Sequence, residues 1–414
     1  MTTKVESPRL IYQGSVKSVY QSPTETDRLW FSFSDDYSVF DWGKMPDQIE
    51  AKGFALTIMA GYFFETFAHS EFWSALPKSR HLSRFDQKFR DALFDSEIFK
   101  GQSGLAACGL ASHYRGIASS DGTLSLADAG KSGTSGPPLY LDVEEAAVLR
   151  PTTRVIGGSE VYFYERPAQG EKLSLSFIPL EIVFRFGAPP GSSLIKRAAK
   201  EPHYLSTLGL GGQTIAEGDW FERPVLEFFT KLESSDRLLS YQEAALTAGL
   251  SADEFSRLYD TGLCIALGLY HIFAEREIEL FDGKVEMAVS TQAKASGKRA
   301  LYLADSVGPD ELRLNFGGVQ LSKEVLRDYY RQSQWYAAIE KAKEMAKSRP
   351  GAKWQDICRL ELKAFPEPLS TEFKSAVSRL YLSLAESLSA VKLAGAVPLS
   401  AVQSEILSLT EVKK

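Results

Sequence analysis

Cysteine is scarce: Cys108, Cys264 and Cys358 are the whole complement of a 414-residue chain. Three thiols so far apart, with no paired spacing, exclude a disulfide framework and a cysteine-rich zinc site. Histidine is almost as rare, five scattered residues. Long apolar runs are missing as well. ALTIMAGYFF is among the longest and falls short of the roughly 20 residues a bilayer demands, while the opening MTTKVESPRL has no positive segment followed by an apolar core. The expectation is a cytoplasmic protein with no membrane partner. Excess positive charge is absent too: a net charge of −6 gives no nucleic-acid surface, so an anionic substrate must be held by a few local cations or metal ions. What remains is globular in composition, 44% hydrophobic and 24% charged, with length for two or three domains.

The most informative stretch runs from Leu280 to Arg313, LFDGKVEMAVSTQAKASGKRALYLADSVGPDELR. Phe281, Val285 and Met287 fall on one face of a strand, and Asp282, Lys284 and Glu286 on the other. The link STQAKASGKR and the return run ALYLA complete a hairpin that ends at Asp305, before a Gly-Pro turn carrying Asp310 and Arg313. Two readings stand side by side. One is a half-buried strand with a solvated polar face. The other is a site, because carboxylates gathered about 4 Å apart repel by roughly 4 kcal/mol per pair at an effective dielectric near 20, which a divalent cation relieves.

Elsewhere the chain alternates helical and strand patterns. Residues 9 to 33 read as strands, LIYQGSVKSVYQ and RLWFSFS, around the turn SPTETD. The tight Gly14-Ser15-Val16-Lys17 segment suits a phosphate cover, although a plain hairpin has the same look. ALTIMAGYFFETFAHSEFW is dense enough in apolar residues for a buried helix. Between Gly101 and Pro138 the composition shifts to Gly, Ser and Ala, which predicts a flexible excursion; Gly130-Lys131-Ser132 is no P-loop, because the required earlier glycine falls at Ser125. In LSLSFIPLEIVFRFG, Leu180, Ile182, Phe184 and Phe186 face one way and Glu181 and Arg185 the other, just before GSSLIKR. That arrangement gives either an ion pair at a strand end or a phosphate pocket of arginine, serine and turn amides. Ser240 with Glu243 and Ser251 with Glu254 have capping-box spacing, and the second should start a helix of about six turns behind the Leu280 hairpin. Ser322 should start one further helix running to Pro350. The tail from about Ser370 is amphipathic, with leucine spacing that suits a core or contacts in a homo-oligomer.

Taken in order, these pieces resemble the SAICAR synthetase family, the phosphoribosylaminoimidazole-succinocarboxamide synthases, from Leu10 to about Tyr330. LIYQGSVKSVY is similar to the family's ATP-covering hairpin, and Asp35, Ser38, Phe40, Asp41, Lys52 and Gly53 echo the pattern that follows it. Pro179-Leu180-Glu181-Ile182-Val183-Phe184-Arg185, then GSSLIKR, then Asp282, Lys284 and Glu286, then Asp305, Pro309, Asp310 and Arg313 complete the series. The resemblance implies an α+β fold. Its parts would be an antiparallel-sheet, ATP-covering region over 1–100, a Gly/Ser-rich insertion over 101–138, an α+β ribotide- and Mg-ATP-binding domain over 139–335, and a helical extension over 336–414.

It also implies an ATP-dependent ligase joining carboxyaminoimidazole ribotide to L-aspartate, with ATP and Mg²⁺ as cofactors and small molecules as its partners. Gly14, Ser15, Val16 and Lys17 would hold ATP, and Glu286, Asp305 and Glu181 would hold metal. Arg185, Ser193 and Arg313 would take the ribotide phosphate. Lys284 would sit beside the reacting phosphoryl group, with Asp282 and Asp310 near base and ribose, and Lys231, Ser38 and Asp41 would serve the second substrate. Met287-Ala288 stand where the family has Phe-Gly, and three further positions depart from its pattern: Ser15 stands for a lysine, Asp36 for an arginine and Ser306 for a glutamate. Those departures motivate the alternative of a non-catalytic ribotide or nucleotide binder; a small-molecule kinase would share the ATP machinery but consume no amine.

Overall fold

Alternation in the first 33 residues produces three antiparallel strands, β1 (Arg9–Gln13), β2 (Lys17–Gln21) and β3 (Arg28–Phe33). The computed structural model describes residues 8–120, 122–165, 173–293, 297–349 and 351–411. Pro350, the expected helix stop, and Lys294 to Ser296 of the hairpin link lie outside the described residues. The chain separates into two units, each gathered from separate stretches. One comprises Met1–Gly61, Gly116–Asp142 and Asn315–Lys414; the other comprises Tyr62–Arg115 and Val143–Leu314.

In the first unit the sheet continues through β4 (Tyr114–Ser119), β5 (Gly122–Leu124) and β6 (Tyr140–Glu144), in the order β1-β2-β3-β6-β4-β5. The Gly, Ser and Ala stretch is therefore not the flexible excursion its composition predicts. It supplies two strands of the sheet and the helix Leu126–Ser132. Its small residues serve close packing: Ala118 and Ala129 are buried, and a Cβ on Gly130 of that helix would run into the Val391 side chain. The helix expected from Ser322 is split into Lys323–Arg331 and Gln334–Lys347, because Ser333 turns its hydroxyl onto the Tyr336 N–H and caps a second helix. Helix Thr371–Ser389, capped by Ser370, follows where the amphipathic tail is expected.

The second unit is built on a larger sheet. After β7 (Ala146–Ala147) comes an exposed hairpin, β8 (Thr152–Ile156) and β9 (Ser159–Phe163), which forms a small sheet of its own. Then follow β10 (Leu175–Phe177), β11 (Leu180–Gly187), β12 (Trp220–Thr230), β13 (Leu238–Leu239), β14 (Glu279–Ala293) and β15 (Arg299–Ala304). Strands run β13-β12-β11-β14-β10-β7, with β15 also paired to β14. The apolar face is covered by helix Ala252–Ala274. Gly262 permits the close approach, since a Cβ there would meet Leu226 at 3.1 Å and Ile182 at 3.4 Å.

Both predicted capping boxes form, at Ser240/Glu243 and at Ser251/Glu254. Glu254 does more than cap: its oxygens accept from Arg299 Nε at 2.6 Å and Nη2 at 2.7 Å. The Arg299 hydrogen bonds, aided by the Ser251 cap and opposed by burial, hold its carboxyl at about 2. A depressed carboxyl contributes stability above its ordinary pKa and loses it as pH falls through the folded value. Glu254→Gln should lower the melting temperature by about 2–6 °C at pH 7, and the gap to wild type should narrow in melts taken at progressively lower pH.

Candidate active site

Strand register decides which side chains share the second face of the large sheet. Across β11 and β12, Glu181 pairs with Phe229, Val183 with Glu227 and Arg185 with Val225; across β11 and β14, Val183 pairs with Lys284 and Arg185 with Asp282. Directly paired residues point to the same side of a pleated sheet, and so do residues two apart. Glu181, Arg185, Glu227, Asp282, Lys284 and Glu286 therefore stand on one face. That face is not solvated. Relative exposure is 9% for Asp282, 7% for Glu286 and 8% for Glu181, which favours a site over a solvated polar strand. Gly283, between two site residues, has no room for a side chain on the opposite face, where Leu312 and Phe184 close over it.

At one end of this face the groups favour an anion. Arg185 is buried and spends its guanidinium three ways: Nε donates to Glu227, Nη1 to Asp282 at 3.3 Å and Nη2 to Ser193 Oγ at 3.2 Å. Glu227 Oε1 also accepts from Arg197 Nη1 and the Tyr204 hydroxyl, both at 2.6 Å. Burial acts against the Arg185 charge, but Glu227 and Asp282 outweigh it and raise its pKa. Arg313 Nη1 lies 3.4 Å from Asp282, is buried, and makes no hydrogen bond among the described residues. Of the groups just named, three arginines face two carboxylates. One positive charge is left over.

Toward the other end the balance reverses. Lys231 follows β12 directly and is held by its N–H to the Pro179 carbonyl; its ammonium bridges Glu181 at 2.8 Å and Glu286 at 2.6 Å. Lys284 donates to the same Glu181 oxygen at 2.8 Å and stands 3.2 Å from Glu311. Burial would raise the Glu181 pKa, yet Lys284 and Lys231 pull it below its ordinary value. For the lysines the signs are opposite: burial would lower each, but Glu286 and Glu181 raise Lys231, and Glu311 and Glu181 raise Lys284. Both lysines are fixed cations rather than bases. Three carboxylates against two ammoniums leave one negative charge among these groups, where a further cation is welcome.

Other predicted residues fall as follows. Asp305 comes immediately after Ala304, the register partner of Glu286, and takes a left-handed backbone at φ 57°. Its carbonyl oxygen lies 3.0 Å from His113 Nε2. Among the described residues no three His, Cys, Asp or Glu side chains gather as ligands of one ion, so Glu181 and Glu286 are joined through Lys231 rather than in a trio with Asp305. Asp310 sits in the short helical turn Pro309–Glu311. Gly14, Ser15, Val16 and Lys17 belong to the first unit, where the Gly14 N–H closes the turn onto the Lys17 carbonyl at 2.8 Å and Lys17 Nζ lies 4.6 Å from the Phe31 ring centre. Ser38 and Asp41 are also in that unit, Asp41 exposed at φ 56°. Asp36, where the family pattern has arginine, is engaged locally by Gln48 at 2.9 Å and Lys44 at 3.0 Å.

Sequence reading assigned no site role to Glu227, Arg197, Tyr204, Glu311 and His113. Glu227 had a usable signal: in PVLEFFT it shares a strand face with Val225 and Phe229, and a carboxylate flanked by apolar positions needs a buried cation.

A family model described as SAICAR synthetase matches residues 10–90 and 163–343. A candidate phosphoribosylaminoimidazole-succinocarboxamide synthase of Archaeoglobus fulgidus is 31% identical over 402 residues, 96% of this chain and 100% of that protein. The phosphoribosylaminoimidazole-succinocarboxamide synthase of Thermoplasma acidophilum is 28% identical over 177 residues, 42% of this chain and 55% of its own. Among solved structures, the SAICAR synthase of Saccharomyces cerevisiae complexed with SAICAR shares the fold, with a TM-score of 0.52 at 19% identity over 95% of this chain and 100% of that one. Matched by that family model over more than half of its length and 31% identical to the Archaeoglobus fulgidus relative, the chain belongs to the SAICAR synthetase family, ligases of purine biosynthesis.

Proposed function

We propose that the protein is an ATP-dependent ligase that joins the carboxylate of carboxyaminoimidazole ribotide to the amino group of L-aspartate through an acyl phosphate. The observation that carries this reading is the juxtaposition on one sheet face of an anion-seeking and a cation-seeking cluster. Arg185, Ser193 and Arg313 would receive the ribotide phosphate, the Arg313 nitrogen beside Asp282 being a donor that makes no hydrogen bond among the described residues. Asp282 and Asp310 would border the base and ribose. Lys284, fixed as a cation, would neutralise charge on the transferred phosphoryl group as the ribotide carboxylate attacks it and ADP leaves. The amine then attacks the acyl carbon and phosphate departs, the amine losing a proton as the amide forms. Lys17 and the Gly14 turn would cover ATP, and Lys231, Ser38 and Asp41 would serve aspartate.

The donor set fits a magnesium ion of the kind bound by one or two carboxylates together with substrate phosphates. Glu181 and Glu286 already share one cation, the Lys231 ammonium, and Asp305 follows Ala304, the register partner of Glu286. When bound there, the ion would supply charge neutralisation between the ribotide carboxylate and the triphosphate. The non-catalytic alternative draws no support from the family likeness, and Asp36, one of the substitutions that motivated it, has local partners. Incubation with ATP, Mg²⁺, the carboxylated ribotide and aspartate should release ADP and the succinyl amide in equal amounts. ADP formed without aspartate consumption would indicate a kinase instead, and no ADP with any amino acid would end the ligase reading.

A further inference from the structure

We propose that Lys231 is the protein's own placeholder for the metal: its ammonium holds the Glu181 and Glu286 carboxylates together until a divalent cation enters, and must leave when it does. This rests on the assignment of those carboxylates to metal made above. One ammonium bonds to Oε1 of both glutamates, at 2.8 and 2.6 Å, and the two side chains are only 11% and 8% exposed. A cation shared by both oxygens at hydrogen-bond distance blocks direct ligation by that pair. Glu181 keeps a second ammonium, Lys284, when Lys231 departs, so the exchange does not strip its charge partner.

Departure is mechanically simple. The backbone of Lys231 is fixed to Pro179, but its four-carbon stem is flexible and the side chain is 29% exposed. The turn that follows borders a cavity of about 500 Å³ lined by Glu160, Tyr162, Glu233, Ser234, Asp236 and Arg237, in which Glu233 is paired with Arg237 at 3.1 Å. Metal entry is then an exchange of one cation for another. Binding of metal alone is weak, and any dicarboxylic amine that captures the freed ammonium strengthens it, with the reciprocal effect on the amine.

The test is titration with Mn²⁺ alone, without nucleotide, followed by the electron paramagnetic resonance of free Mn²⁺. Lys231→Met should bind Mn²⁺ about tenfold or more tightly than wild type, since no charge-assisted hydrogen bonds need breaking; Lys231→Arg should stay weak. Adding Glu286→Gln to Lys231→Met should abolish the gain. Circular dichroism checks that each variant is folded, and Lys231→Gln takes the place of methionine if that variant does not fold. Unchanged or weaker Mn²⁺ affinity in the folded neutral variant overturns the inference, as does tight binding that survives loss of Glu286. A wild-type enzyme that makes the amide while the neutral variant shows no gain removes this inference alone and leaves the ligase reading in place.

Discussion

Lys284→Met should lower kcat by about 10²- to 10³-fold, the size of effect seen when a fixed group facing developing charge is removed, with little change in ribotide KM. Lys284 lies between Glu181 and Glu311, and those carboxylates keep it charged despite burial. Its raised pKa gives the sign of the pH dependence. The charge is complete throughout the neutral range and is lost only at strongly alkaline pH, so no neutral-range limb of the kcat profile should belong to this residue. Lys284→Arg keeps the cation and should recover part of the rate. A methionine variant with undiminished kcat would remove Lys284 from the chemistry, and one with raised KM but normal kcat would move it to substrate binding.

Glu227→Gln acts on the other cluster and should show a different signature. The carboxylate accepts from Arg185, Arg197 and Tyr204 with no exposed side-chain surface. Glutamine keeps the shape, loses the charge and offers an amide donor where an acceptor is needed. Breaking a buried ion pair from one side costs about 3–5 kcal/mol, so the denaturant midpoint should fall clearly. Because Arg185 also holds Ser193 and Asp282, its misplacement should raise the ribotide KM by about 10²-fold, more than it lowers kcat. Equal stability loss with an unchanged ribotide KM would make Glu227 a structural anchor only.

The strands of the site were legible because alternation is a local property. Phe281, Val285 and Met287 against Asp282, Lys284 and Glu286 can be read from the chain directly, and the register then carries those faces across to Glu181 and Arg185. The capping boxes were legible for the same reason. Lys231 as the bridge between Glu181 and Glu286 was not, since the contacts join positions 50 and 55 residues apart and depend on the β11–β12 pairing. The 101–138 stretch misled for a physical reason: glycine, alanine and serine mark loops by composition, but they also allow the close approach that Gly130 and Val391 make. Sequence alone gave no hint that Ser333 would restart a helix, because a serine within a polar run has the same composition whether it caps or continues.

The site's reliance on strand pairing sets how its sequence can change over generations. Side chains alternate with a period of two, so removing or adding a single residue between Asp282 and Glu286 would turn every later group of β14 toward helix Ala252–Ala274 and bring apolar groups onto the charged face. Change of length is closed to this segment. Natural variation in gene length should therefore leave the spacing from Asp282 to Glu286 untouched.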